Sequence, residues 1–358
     1  MNRLLEVRKL GQQIWLDNLS RSLIRDGHLA RFVNDDGVAG VTTNPAIFQK
    51  AIADGRYYET DLAALKARDL SAEARYEALV IPDVQAACDV LRPTWQAAGG
   101  DAGYVSLEVS PALAHDEDGT VAAAHRLHAA VARDNVLIKV PATAAGVRAV
   151  ERLIADGISV NVTLMFSLAH VDAVAGAYVR GLQRRADAGK DVGGVFSVAS
   201  LFLSRVDTLV DGRLDAIGGD ALALRGRSAN ATAKQAYAAY RARFHGPEFA
   251  DLKARGARPQ YMLWASTGTK NPAYSDLLYV EPLIGAETVN TLPDATLDAL
   301  IDHGTVAATL TDGLADATAH YAALAALGID MDAVGESLQV AGLGQFEEAF
   351  GKLLAVTA

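Results

Sequence analysis

The sequence predicts an α/β chain folded as a (β/α)8 TIM barrel with additional helices, on three observations. Eight short β-rich segments alternate with longer helical patterns. No GxGxxG turn follows the first of them, although an open doubly wound sheet often begins with one. The length, 358 residues, is within reach of one barrel with extensions. The expectation is therefore one (β/α)8 barrel domain over residues 1–358, with a C-terminal helical extension from about residue 314.

The first strand is expected at Ile14–Asp17, before a helical run from Ser20 to about Val33. The second is Gly40–Thr43, and Asn44 before Pro45 opens a helix to Ala53. A helical stretch, roughly Arg75–Ala98, leads to the third strand, Tyr104–Val109, and helix Gly119–Ala132 follows. The fourth strand is Val136–Val140, with helix Ala145–Ala155 after it. The fifth is Ser159–Leu164, with helix Ser167–Arg185. The sixth is Val195–Ser200, before a helix from about Leu201 to Ile217. Helix Asn230–Arg243 precedes the seventh, Gln260–Ser266. The eighth is Val289–Leu292, followed by helix Asp294–Asp302 and a mostly helical remainder.

Side chains alternate faces along a strand, and in an all-parallel barrel both faces are covered. The third strand splits into Val105, Leu107 and Val109 against Tyr104, Ser106, Glu108 and Ser110. The fifth sets Val160, Val162 and Leu164 against Ser159, Asn161 and Thr163. In the fourth, Val136, Ile138 and Val140 face the helices, which turns Leu137 and Lys139 inward. A buried lysine needs a partner or a use. Two readings follow: a structural ion pair with Glu108 or Asp17, or an amine with a neutral fraction able to attack a carbonyl.

Polar residues recur at the C-terminal ends of the proposed strands, where barrel active sites lie. They are Asp17, Asn44, Glu108, Lys139, Asn161 with Thr163, Ser200 and Ser266. Each has an ordinary explanation alone: Asp17, Asn44 and Ser200 could cap helices. Their occurrence on successive strands favours a shared site.

The formal net charge of −10 disfavours nucleic acid and anionic membranes as partners. It also repels phosphorylated metabolites, so a sugar-phosphate site requires a local group of cations. About half the residues are hydrophobic, enough for a large core. The charged stretch Met1–Leu10 lacks the apolar segment of a secretory signal, and no run reaches the roughly 18 apolar residues of a membrane span. With one cysteine, Cys88, these features suit a reducing, cytoplasmic setting. The oligomeric state stays open, a homo-oligomer included.

The segments Ile14–Asn18 (IWLDN), Gly40–Phe48 (GVTTNPAIF), Ser106–Pro111 (SLEVSP), Leu137–Pro141 (LIKVP) and Asn161–Ser167 (NVTLMFS) closely resemble the transaldolase family. So do Ser197–Asp207 (SVASLFLSRVD) and Leu263–Asp276 (LWASTGTKNPAYSD). The resemblance runs from about residue 10 to the C-terminus and is nearest to the longer bacterial branch. It implies a Schiff-base transferase on a (β/α)8 barrel, with no metal or organic cofactor, in the non-oxidative pentose phosphate pathway. A dihydroxyacetone unit would pass from sedoheptulose 7-phosphate or fructose 6-phosphate to glyceraldehyde 3-phosphate or erythrose 4-phosphate.

By the same resemblance, Lys139 is the Schiff-base lysine and Asp17 the base for the cleaved hydroxyl. Glu108 acts through a water that Thr163 helps hold, and Asn44 and Asn161 bind the dihydroxyacetone hydroxyls. Ser200 and Arg205 match the family's phosphate-site serine and arginine, and Ser266 falls in the seventh motif. There the shorter branch places an arginine soon after the serine. This chain has Thr267, Gly268, Thr269 and then Lys270, and Lys270 is expected to replace that arginine. A fructose 6-phosphate aldolase is the nearest rival, but such relatives are shorter and carry tyrosine where Glu108 stands. A non-catalytic sugar-phosphate binder would be expected to lose Lys139 or Asp17. A metal-dependent aldolase is disfavoured because the eight histidines show no HxH pair at a strand end.

Overall fold

The computed structural model describes residues 2–358; Met1, the first residue of the charged N-terminal stretch, lies outside them. Eight strands close into one parallel barrel in chain order. They are β1 (Gln12–Leu16), β2 (Gly40–Val41), β3 (Tyr104–Glu108) and β4 (Val136–Pro141), then β5 (Val160–Met165), β6 (Ser197–Phe202), β7 (Tyr261–Ala265) and β8 (Thr288–Leu292). β8 returns to pair with β1, so no sheet edge is left open. The eight expected strands are all present, and the (β/α)8 class is the observed one.

Helices α1 (Arg3–Lys9), α2 (Arg21–Arg25), α3 (His28–Arg31), α4 (Pro45–Ala53), α5 (Glu59–Lys66) and α6 (Ala72–Ala97) occupy the first part of the chain. α7 (Glu117–Val131), α8 (Ala144–Asp156), α9 (Leu168–Asp187) and α10 (Ser204–Ile217) follow β3 to β6 in turn. α11 (Ser228–Phe244) and α12 (Pro247–Ala254) precede β7, and α13 (Asp294–His303) follows β8. α14 (Leu314–Ala326) and α15 (Met331–Thr357) complete the chain. Among the described residues no helix is long and apolar enough to cross a membrane.

Several boundaries differ from expectation for local reasons. The run from Ser20 to Val33 is not one helix: Ser20 caps α2 by accepting from Leu23 N, and Gly27 at φ +80° breaks the chain before α3. α5 and α12 were not foreseen; α5 mixes polar and apolar residues without a stripe, and α12 is a short helix opened by Gly246-Pro247. The helix expected from Leu201 starts at Ser204, because β6 stays paired with β7 through Phe202 and Ala265. β2 is only two residues long, although Thr42 N still donates to the Leu16 carbonyl at 2.9 Å; beyond it the Thr42 and Thr43 hydroxyls bond Asp17 and the Ser106 carbonyl.

The barrel interior is sealed below and polar above. At the N-terminal ends, Tyr104 stacks on Phe196 with centroids 4.6 Å apart, and Tyr261 meets Phe196 edge-on at 5.6 Å. Trp15 lies higher, its indole donating to Gln13 Oε1 at 3.0 Å. Gly40 makes room for that ring, because a Cβ there would come within 2.5 Å of the indole carbons. Gly40→Ala is therefore expected to overpack the interior by about 1–3 kcal/mol. The measurement is the urea midpoint, which should fall with an unchanged denaturant slope; an unaltered midpoint would contradict the close contact.

Candidate active site

The barrel brings the sequence-selected side chains together by register. Glu108 pairs with Lys139, and Lys139 with Asn161, so three neighbouring strands present these residues in one row. Between β5 and β6 the register slips between Val162 and Met165, and Leu164 takes φ +59°. Such an irregularity re-aims side chains at a strand end. Here it lies beside Thr163, at the rim where the polar groups gather.

Lys139 is 5% exposed. Its Nζ lies 2.6 Å from Glu108 Oε1 and donates to the Thr43 carbonyl at 2.9 Å. The ion pair foreseen as the structural reading is thus present. Yet neither Glu108 carboxylate oxygen receives a well-aligned hydrogen bond, and the buried Thr163 hydroxyl has no partner. A small cavity of about 10 Å³ lies against Glu108, Lys139 and Thr163, roofed by Leu343 and Phe346 of α15. That is close to the volume one water needs. A purely structural pair would be expected to saturate its carboxylate.

A larger cavity, about 260 Å³, opens at the C-terminal ends of the strands. Asp17, Asn44, Lys139, Ser200, Arg205 and Ser266 all line it. Asp17 Oδ1 accepts from the Thr42 hydroxyl at 2.8 Å, which in turn lies 2.6 Å from the Thr291 hydroxyl. Burial pushes the Asp17 carboxyl above its ordinary range, against the pull of the Lys139 charge and the Thr42 hydrogen bond. Burial does the same to Glu108, opposed by Lys139 and reinforced by the charge of Asp17. Two acids held upward beside one ammonium make a site in which protons can be exchanged among neighbours.

Asn44 caps α4, its Oδ1 accepting from Ile47 N at 3.0 Å, so the ordinary explanation for this residue also holds. The cap uses the oxygen only, and the side chain still lines the cavity. Asn161 donates to Ser106 Oγ at 3.0 Å and accepts from Ser200 Oγ at 2.7 Å. Ser200 is therefore a mid-strand residue bound to Asn161, not a helix cap, and its hydroxyl is engaged in the barrel interior. Asp17 caps no helix either; Ser20 has that role.

Arg205 stands in the first turn of α10, with its guanidinium carbon 5.5 Å from the Phe202 ring centroid. Its Nη1 is buried without a hydrogen-bond partner, and burial lowers its pKa from the usual arginine range. Ser266, at φ +54°, pairs its hydroxyl with that of Ser204 at 2.8 Å, tying the β7 end to the start of α10. Lys270 departs from expectation. Its side chain is exposed and does not line the cavity, because Ser266 to Lys270 leave the strand end along a loop on which Thr269 bonds the Ser275 carbonyl. Its charge still acts on Asp17, which it draws downward.

The wall also contains residues that sequence reasoning missed. Thr42, Thr291 and Phe202 come from the barrel, and Gln345, Phe346 and Ala349 come from α15. Phe346 lies over Lys139, with Nζ 5.8 Å from its ring centroid. α15 thus crosses the mouth of the barrel. Among the described residues no group of three His, Cys, Asp or Glu side chains is placed to hold a metal ion.

The sequence pattern of the family described as transaldolase/fructose-6-phosphate aldolase matches residues 14–357. A transaldolase of Thiobacillus denitrificans is 56% identical over 99% of this chain and 99% of its own length. One from Neisseria gonorrhoeae is 54% identical, again over 99% of both chains. Transaldolase 2 of a Nostoc species is 43% identical over 99% of this chain and 96% of its own. With a family pattern spanning nearly the whole sequence and relatives more than half identical along it, the chain belongs to the transaldolase/fructose-6-phosphate aldolase family.

Proposed function

We propose that the chain transfers a dihydroxyacetone unit from a ketose phosphate, sedoheptulose 7-phosphate or fructose 6-phosphate, to glyceraldehyde 3-phosphate or erythrose 4-phosphate. The observation that carries this reading is a single buried lysine, Lys139, 2.6 Å from a buried carboxylate and sharing a cavity with Asp17. Relatives that match over their full length carry the name transaldolase, which favours transfer over simple release of dihydroxyacetone.

Glu108 takes the ammonium proton from Lys139 across their short contact. The freed amine attacks the donor's C2 carbonyl, and the carbinolamine loses water as Glu108 returns a proton through a water held with Thr163. The unpartnered Glu108 and Thr163 oxygens beside the 10 Å³ cavity support that placement. Asp17 then takes the C4 hydroxyl proton. The C3–C4 bond breaks, its electron pair moves into the iminium, and the aldose phosphate leaves an enamine on Lys139. The acceptor aldehyde reverses these steps, with Asp17 giving its proton to the new hydroxyl.

Asn161, Ser200 and Asn44 hold the dihydroxyacetone hydroxyls between the half-reactions, so the enamine keeps its orientation. Placing Ser200 with this group rather than with the phosphate follows from its bond to Asn161. Arg205 and Ser266 take the phosphate, Arg205 with a nitrogen unbonded within the protein. Lys270 contributes a field at Asp17 rather than a contact. The whole chain acts as one barrel unit, with α15 as part of its active-site wall, and it works in the cytoplasm.

The test is a coupled assay for sedoheptulose 7-phosphate plus glyceraldehyde 3-phosphate, with EDTA present. Erythrose 4-phosphate and fructose 6-phosphate should form together and only when both substrates are supplied. Release of free dihydroxyacetone at the same rate without an acceptor would instead assign the chain to the aldolase side of its family.

A further inference from the structure

α15 enters the cavity wall in a fixed register. Gln339 Nε2 donates to the carbonyls of Ala142 at 2.9 Å and Leu164 at 3.0 Å, pinning the helix to the ends of β4 and β5. Three residues on, Gly342 lies so close that a Cβ would come within 3.2 Å of Arg205 Nη1 and 3.1 Å of Leu164 Cδ2. This packing brings the next turn over the opening, where Gln345, Phe346 and Ala349 join the lining. Phe346 covers Lys139, whereas Gln345, also part of the lining, is exposed to solvent.

We propose that Gln345 is a substrate-binding residue that donates a hydrogen bond to the phosphorylated end of the sugar, beside Arg205. The inference rests on the reading above, in which the donor is held through C2 on Lys139. A ketose attached at that buried amine must run toward the open end, and its phosphate must arrive where Arg205, Ser266 and Gln345 stand. A carboxamide suits this position. It offers two N–H donors to phosphate oxygens without adding charge, whereas a carboxylate there would repel the phosphate. Both ketose and aldose phosphates place the phosphate at the same distal end. Gln345 therefore sets affinity for donor and acceptor alike and leaves the bond-breaking steps unaltered.

The experiment compares Gln345→Ala and Gln345→Glu with wild type and with Arg205→Ala, each in the full chain. For Gln345→Ala, KM for fructose 6-phosphate and erythrose 4-phosphate should rise about 3- to 10-fold, the range of one hydrogen bond whose ionic part is weakened by solvent at this exposed position, with kcat within about twofold. KM for unphosphorylated glyceraldehyde as acceptor should not change. Gln345→Glu should raise the same two constants further, with a penalty that shrinks as salt is added. Arg205→Ala should shift them in the same direction and by more, through loss of a charge-assisted bond. Because Gln345 is exposed on a helix surface, the melting temperature should stay at the wild-type value. Unchanged KM values in both Gln345 variants would overturn the inference, as would equal changes for phosphorylated and unphosphorylated acceptors. A wild-type enzyme without transfer activity would overturn the functional reading itself.

Discussion

Lys139→Met is expected to lower kcat by about 10⁴-fold or more, as losses of a covalent nucleophile do. Methionine keeps most of the volume of the side chain and removes only the reacting nitrogen. Incubation with fructose 6-phosphate and borohydride should add a dihydroxyacetone-sized mass to the wild-type peptide containing Lys139. The variant should gain none anywhere in the chain. Transfer above about 1% of the wild-type rate, or a trapped adduct at another lysine, would remove Lys139 from the mechanism.

The same substitution has a consequence for stability that follows from Glu108. Burial already holds this carboxyl above its ordinary range, and the Lys139 charge works against that shift. Without the ammonium, the group moves further up. Over the window between the unfolded and folded values, the folded state then binds more protons than the unfolded one. Stability therefore falls as pH rises through that window. At neutral pH the cost should be about 3–5 kcal/mol, that of breaking a buried pair, and it should shrink on acidification as Glu108 takes up its proton. Urea unfolding of the two proteins at matched pH values reads this directly.

How far the site was legible depended on which kind of periodicity carried each residue. The two-residue alternation of β3, β4 and β5 singled out Glu108, Lys139 and Asn161, because a polar side chain on an inward face of a parallel barrel stands out against Val and Leu. Register then did the rest, aligning all three across neighbouring strands. Thr42 and Thr291 escaped notice because threonine is an ordinary strand residue, and only the closed barrel brings their hydroxyls within 2.6 Å. The slip at Leu164 leaves no local signature at all. Where the Lys270 charge goes was not legible, because the path of the loop after Ser266 decides it, and that loop leaves the side chain exposed and off the cavity wall. α15 was expected only as part of a C-terminal helical extension, over the barrel or over its mouth: a helix pattern says that a segment is helical but not which part of the barrel it covers. The glycines of α15 mark two faces, Gly335 with Gly342 and Gly344 with Gly351, each pair seven residues apart, and in the structure neighbours pack against only the first pair. Here Ser167 and Arg205 do so, since a Cβ would come within 2.5 Å of Ser167 Cβ and 3.2 Å of Arg205 Nη1.

Asp17→Asn separates attachment of the donor from cleavage. The amide keeps an oxygen to accept from Thr42, so the side chain should hold its place, but it cannot take the C4 hydroxyl proton. Transfer should fall by about 10²–10⁴-fold, the usual contribution of a positioned base. On the proposed mechanism Schiff-base formation uses Lys139 and Glu108 and should survive, so borohydride should trap intact fructose 6-phosphate on Lys139 rather than the three-carbon fragment. The pH profile gives a second reading. Asp17 must be ionised to act as base, and burial raises its carboxyl, so the acid limb of kcat/KM should lie above the ordinary carboxylate range. In Asp17→Asn the residual activity should lose the part of that limb due to Asp17, leaving only the contribution of Glu108. A variant that still accumulates the three-carbon adduct at the wild-type rate would show that another group removes the proton. Asp17 would then act only through its charge beside Lys139.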